Sequence, residues 1–125
     1  MKLSAKSRYG MLGFIEVARA GSANVRAVAQ KYNISEKFLE TGFNSMKKGN
    51  LLSSKSGSGG GYRMAGKPED ISVFELLSCL EGDAKIADRD FDGSEVKDFI
   101  FDNVWQKINE KIETELKNIK IKDVL

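Results

Sequence analysis

The stretch Gly57-Ser58-Gly59-Gly60-Gly61 constrains this chain more than any other. Four glycines in five residues exclude a helix, where each costs about 1 kcal/mol against alanine. They suit a turn whose backbone other residues rarely adopt. Leu51-Leu52-Ser53-Ser54-Lys55 before it then reads as a short strand, and Tyr62-Arg63-Met64-Ala65 after it as the antiparallel return.

What precedes this hairpin is helical. Met11, Leu12, Phe14, Ile15 and Ala18 fall at helical spacing, so about residues 5–19 form a first helix, stopped by Gly21-Ser22. Val25, Val28, Ala29 and Tyr32 give a short second helix. Asn33 tolerates a left-handed backbone, Ile34 plugs the turn, and Ser35 has the chemistry of an N-cap. The third helix runs from Glu36 to Lys48, with Leu39, Phe43 and Met46 as its inward stripe. Glu36, Lys37, Glu40, Thr41, Asn44 and Lys48 fall on the other side. Lys47-Lys48 before Gly49 ends it with cations and a residue able to take φ > 0. Gly42 inside it signals either close approach of another backbone or a weak helix.

Two short helices, a tight turn and a glycine-tipped hairpin make a winged helix-turn-helix. In that geometry the second helix of the pair enters the DNA major groove and reads base edges. The hairpin follows the backbone or minor groove, where glycines permit close approach and Lys55 and Arg63 meet phosphate. Charge agrees with pattern. The net charge is only +2, but residues 1–67 carry twelve Lys/Arg against three Asp/Glu, and residues 68–125 eight against fifteen. A +9 half thus adjoins a −7 half, and the positive half is the one with the wing. The plain alternative, a glycine linker beside an ordinary helical core, leaves that asymmetry unexplained.

The acidic half begins after Lys67, at the only proline, Pro68. Ser72-Val73-Phe74-Glu75 fits a capping box, opening a helix with Leu76, Leu77 and Leu80 inside and Gly82 at its end. Residues 83–93 form an acidic loop. Asp88, Asp90, Asp92 and Gly93 match the first half of a calcium loop, but the twelfth position is Phe99 rather than Glu, so a solvated loop is expected. From about Ser94 to Ile119 the pattern is helical, with a break expected near Asp102-Asn103. Trp105, Ile108, Ile112 and Ile119 lie on or near one stripe with Leu116 beside it, and so apolar a face needs a surface to cover. The body of the domain or a second copy of the chain supplies it.

Composition removes whole classes of chemistry. There is no His, which excludes imidazole catalysis and His-ligated metal. The single Cys79 forms no intrachain disulfide and no Cys-only metal site. It reads as a buried small hydrophobe, with a redox thiol as the sharper alternative. No apolar run approaches a membrane span and no signal peptide is visible, so a cytoplasmic protein without membrane contact is expected.

The chain also resembles a family. Lys2-Leu3-Ser4 and Arg8-Tyr9-Gly10 are similar to the opening of the Rrf-type bacterial regulators that include IscR, NsrR and CymR. The likeness continues in Val28-Ala29, in Ile34-Ser35-Glu36-Lys37-Phe38-Leu39-Glu40, and in Lys48-Gly49-Asn50-Leu51. It runs on through Ser53-Ser54, the wing from Gly57 to Arg63, Ile71-Ser72-Val73, Leu80-Glu81-Gly82 and Val104-Trp105.

This resemblance implies a homodimeric transcription regulator, usually a repressor, on a palindromic operator. The expected fold is mainly α with a small β-hairpin wing: a winged helix-turn-helix in residues 1–67, then a linker helix, acidic loop and long C-terminal dimerisation helix in 68–125, as one compact domain. Arg8, Tyr9 and Lys55 would face the DNA backbone, Glu40 and its neighbours would face bases, and Ser35, Glu36, Lys37, Thr41, Asn44 and Lys48 are the further DNA-binding candidates of this segment. Ser56, Ser58, Gly59, Gly60 and Arg63 complete the wing contacts, and Trp105, Ile108, Ile112, Leu116 and Ile119 the dimer contacts.

Three departures qualify the carry-over. Many members hold an iron–sulfur cluster through three cysteines between the Leu-Glu-Gly segment and the terminal helix, whereas residues 83–103 contain none. No cofactor and no metal are therefore expected. Ser56 stands where many members have Arg, and Gly42-Phe43 where paired leucines are usual. The expected partners are double-stranded DNA, a second copy, and a regulatory protein or small-molecule effector. The alternatives are an interaction module that has lost operator binding, or a single-thiol sensor through Cys79. An enzyme is not expected.

Overall fold

A computed structural model describes residues 2–56 and 61–125. Helix α1 spans Ala5–Ala20, and the Ser4 hydroxyl caps it by accepting from the Ser7 N–H at 3.1 Å. The two-residue strand β1, Ser22–Ala23, follows at the point where sequence showed only a helix stop. Helix α2 is Val25–Tyr32 and α3 is Glu36–Lys48. Between them Asn33 takes the left-handed conformation at φ 52°, and Ser35 caps α3 through the Phe38 N–H. These are the features their residue types predict.

Among the described residues three strands form one antiparallel sheet in the order β1-β3-β2, with β2 at Leu52–Lys55 and β3 at Gly61–Met64. Tyr62 in the central strand faces Ala23 on one side and Ser54 on the other. Gly61 belongs to this strand rather than to the turn. A Cβ there would collide with the Ala23 carbonyl, so the last glycine of the run lets β1 and β3 meet. Gly57, Ser58, Gly59 and Gly60, which the sequence assigns to the turn, lie outside the described residues.

Helix α4 is Val73–Glu81, opened by the expected capping box and closed at Gly82 with φ 93°. Helix α5, Glu95–Ile100, continues through a π-helical stretch, Phe101–Trp105, into α6, Gln106–Asn118. The expected break near Asp102-Asn103 is therefore a wider turn within a continuous helix, which rotates the faces on its two sides relative to each other. The helix ends at Asn118. Ile119 is extended, its carbonyl accepts from the Val73 N–H at 2.8 Å, and a short 3-10 turn closes the chain.

One core joins these elements. Phe14, Leu39, Phe43, Met46, Leu52, Leu76 and Ile121 are almost wholly removed from water and come from both the basic and the acidic half. Where α1 crosses α3 a Cβ on Gly42 would stand 3.1 Å from Gly10 Cα and from the Lys6 carbonyl oxygen. The glycine inside α3 thus marks close backbone approach. Gly49 corrects an expectation: it has φ −82°, and Asn50 takes the left-handed turn at φ 62°. Gly49 lacks a side chain for another reason, because Cys79 Sγ occupies the space where its Cβ would be.

Candidate nucleic-acid interface

Helix α3 divides cleanly. Leu39, Phe43 and Met46 are buried, while Glu36, Lys37, Glu40, Thr41, Asn44 and Lys48 are exposed. The inward stripe fixes the helix on α1, and 3.6 residues per turn then leaves the polar residues outward. Thr41 turns its hydroxyl back to the Lys37 carbonyl at 2.9 Å. Glu36 lies 3.7 Å from Arg26 on α2, an exposed pair that costs little to break. Phe38, in the first turn of α3, is about half exposed.

The sheet brings the wing base against this face. Tyr62 is 8 % exposed and its ring packs on Phe43, centroids 4.7 Å apart. Its hydroxyl emerges beside the outer face of α3, 3.2 Å from Glu40 Oε1 and 2.9 Å from Asn44 Oδ1. Burial and the Glu40 carboxylate push the phenol up to about 12, so it keeps its proton at neutral pH. A cleft of about 410 Å³ runs here between Asn24, Arg26, Glu36, Glu40, Gly61 and Tyr62. Sequence reasoning assigned no role to Tyr62 or Arg26. Tyr62 sits on the buried side of the returning strand, a position that sequence alternation reads as core.

The remaining candidates are placed as follows. Arg8 is exposed on α1, its guanidinium 5.5 Å from the centre of the half-buried Tyr9 ring. Ser35, Lys55, Ser56 and Arg63 are exposed, and Arg63 Nε donates to Ser53 Oγ at 3.4 Å. The arrangement is an exposed polar helix face flanked by a hairpin whose two strands each carry an exposed cation, Lys55 on β2 and Arg63 on β3. Such a shape suits hydrogen bonding to base edges and ion pairing with phosphates.

On the acidic half, Trp105 and Ile119 are exposed, Ile108 and Ile112 half-buried, and Leu116 packs against the protein's own core. The apolar strip extends further than the sequence suggested, through Val96, Phe99, Ile100 and Val104, all exposed. Their spacing was legible; the π stretch that carries the strip into α6 was not. The acidic loop lies against this helix. Buried Asn109 accepts from the Ile86 N–H at 2.8 Å and donates to the Ala87 carbonyl at 3.0 Å. Arg89 pairs with Asp98 and Asp102 and stacks on Phe101. Asp92 pairs with Lys97.

Neither the thiol nor the loop offers a metal site. Burial and the charge of Glu75 push the Cys79 thiol up, the reverse of what a reactive thiolate needs. An iron–sulfur cluster takes several thiolates, with imidazole replacing some in certain centres. This chain has one Cys and no His, and among the described residues no three His, Cys, Asp or Glu are grouped to hold a metal ion. No helix among the described residues is long and apolar enough to cross a membrane.

Comparison with known proteins agrees with this geometry. Residues 3–125 match the family described as "Rrf2: Iron-dependent Transcriptional regulator". The HTH-type transcriptional regulator CymR of Bacillus subtilis is 34% identical over 85 residues, 66% of this chain and 62% of CymR, so that match spans less than two thirds of CymR. The solved structure of CymR, the global cysteine regulator of B. subtilis, superposes with a TM-score of 0.80 at 27% identity, covering 99% of this chain and 95% of that one. T. potens IscR gives 0.75 at 30% identity, covering 99% and 85%. The fold is that of these winged-helix regulators, and the relatives are transcription regulators rather than enzymes.

Proposed function

The chain belongs to the Rrf2 family of transcriptional regulators, and from that premise we propose a homodimeric repressor that binds a palindromic operator without an iron–sulfur cluster. Residues 1–67 act as the DNA-binding module and 68–125 as the linker and dimerisation part. The observation that carries this reading is the exposed face of α3, continuous with the wing base and lying in the +9 half. Helix α3 enters the major groove with Lys37, Glu40, Thr41 and Asn44 toward base edges. Arg8, Lys48, Lys55 and Arg63 neutralise phosphates, which gives affinity that falls as salt rises.

The exposed apolar strip from Val96 to Trp105 supports self-association, since a two-fold axis would cover both copies' strips and present two α3 helices to half-sites about one DNA turn apart. The donor count supports operation without a cluster. The regulating signal then comes from a small molecule or a partner protein, and the raised Cys79 pKa weighs against a thiol sensor.

Selection of bound duplexes from a random pool tests the proposal. Protein purified anaerobically is expected to be colourless and iron-free and to enrich a palindrome. Binding to that site is expected to weaken roughly tenfold in Glu40→Ala or Lys37→Ala. Equal retention of all sequences would leave an interaction module instead of a regulator that reads DNA.

A further inference from the structure

We infer that Tyr62, a buried residue of the wing's central strand, is a specificity-determining positioning residue that sets the orientation of Glu40 and Asn44 on the base-reading face of α3. The inference rests on the DNA-binding reading above and extends it to a residue that faces the core.

The chemistry of the three groups fixes the arrangement. A phenol has one proton, and here two oxygens lie within reach, Glu40 Oε1 at 3.2 Å and Asn44 Oδ1 at 2.9 Å. If the proton goes to Asn44, the phenol oxygen faces a carboxylate oxygen with no hydrogen between them. Exchanging the oxygen and nitrogen of the Asn44 amide, which are alike in shape, removes the conflict. Asn44 Nδ2–H then donates to the phenol oxygen, and the phenol O–H donates to Glu40. Each of the two contacts then has one donor and one acceptor. The phenol remains protonated at neutral pH, so the relay persists under working conditions.

Rigidity comes from below. The Tyr62 ring is held on Phe43 and its backbone is flanked on both sides by β1 and β2. The hydroxyl is therefore a fixed point, whereas Glu40 and Asn44 are exposed side chains that would otherwise sample several rotamers. Anchoring one oxygen of Glu40 leaves the other to accept from a base amino group such as that of cytosine. Anchoring one N–H of Asn44 leaves an oxygen and a second N–H, the donor–acceptor pair that suits adenine. It also holds an acid in place beside phosphates that repel it.

Tyr62→Phe removes only the hydroxyl and keeps the ring on Phe43. Glu40 and Asn44 are exposed, so water replaces the lost bonds and the variant folds, which its thermal melting checks. Duplex selection is run on the wild type, Tyr62→Phe, Glu40→Ala and Asn44→Ala. The expected result is a roughly tenfold loss of discrimination in Tyr62→Phe, confined to the base positions relaxed by Glu40→Ala or Asn44→Ala. A wild type that selects no sequence overturns the DNA-binding reading, and this inference with it. A wild type that selects, beside a Tyr62→Phe with unchanged preferences, overturns this inference alone. So does a Tyr62→Phe that relaxes every position equally, because that is a structural effect.

Discussion

A missing methyl group at Gly42 lets α1 and α3 cross in backbone contact. A Cβ there meets Gly10 Cα and the Lys6 carbonyl, both main-chain atoms that cannot swing aside. Gly42→Ala gains about 1 kcal/mol of helix propensity but forces the two helices apart, at about 1–3 kcal/mol. Net destabilisation is expected in urea unfolding, and a more stable Gly42→Ala would show that the contact is loose. Gly49 makes the same point with a different neighbour. Its position after two lysines suggested a left-handed cap, yet the neighbouring Asn50 makes that turn, and Gly49 is bare because Cys79 packs over it. Residue type revealed that something special happens at each glycine, and only the neighbour in space revealed what.

At the scale of elements, the segment from α4 to α6 depends on a few side chains that bind backbone. The loop after Gly82 lacks regular structure, and Asn109 supplies two of the backbone partners it needs, at Ile86 and Ala87. Asn109→Ala leaves the part-buried Ile86 N–H and Ala87 carbonyl without this partner and is expected to cost about 1 kcal/mol. Hydrogen exchange should then quicken in the loop, with amides of α1 and α3 slowed as before. Uniform quickening would mean that the loop unfolds together with the rest. Arg89 bridges to Asp98 and Asp102, but both carboxylates are exposed and the pairs do not replace that anchor. The sequence indicated a long helix with a fault near Asp102; whether a fault becomes a break or a π turn depends on side chains packed around it, such as Arg89 over Phe101.

For the whole molecule, the shared core and the exposed strip carry different consequences. Phe14, Phe43, Leu76 and Ile121 bind the basic and acidic halves into one packed interior. The strip through Val96, Phe99, Ile100, Val104 and Trp105 stays exposed, most of all at Val96 and Phe99. Trp105→Glu, and Phe99→Glu one and a half turns earlier, place a charge in any interface formed there. Light scattering is expected to give twice the 13.8 kDa chain mass for the wild type and the single mass for both variants. Unchanged dimers in both would move the contact elsewhere on the helix, and a monomeric wild type would remove the dimer altogether.

The sequence by itself determined the elements and their order. Local rules suffice for that: apolar spacing placed α1 to α4, Ser35 and Ser72 marked helix starts, Asn33 marked the turn, and the glycine run marked the hairpin. It also placed the positive charge with the wing, because charge follows composition alone. The tertiary structure decided what depends on distance in space. The two-residue β1 exists because β3 offers it partners, Leu116 turns to the protein's own core, and Tyr62 reaches across twenty-two residues to Glu40. A hydrogen bond or a steric contact falls off within an ångström or so, and separation along the chain does not record which atoms come that close.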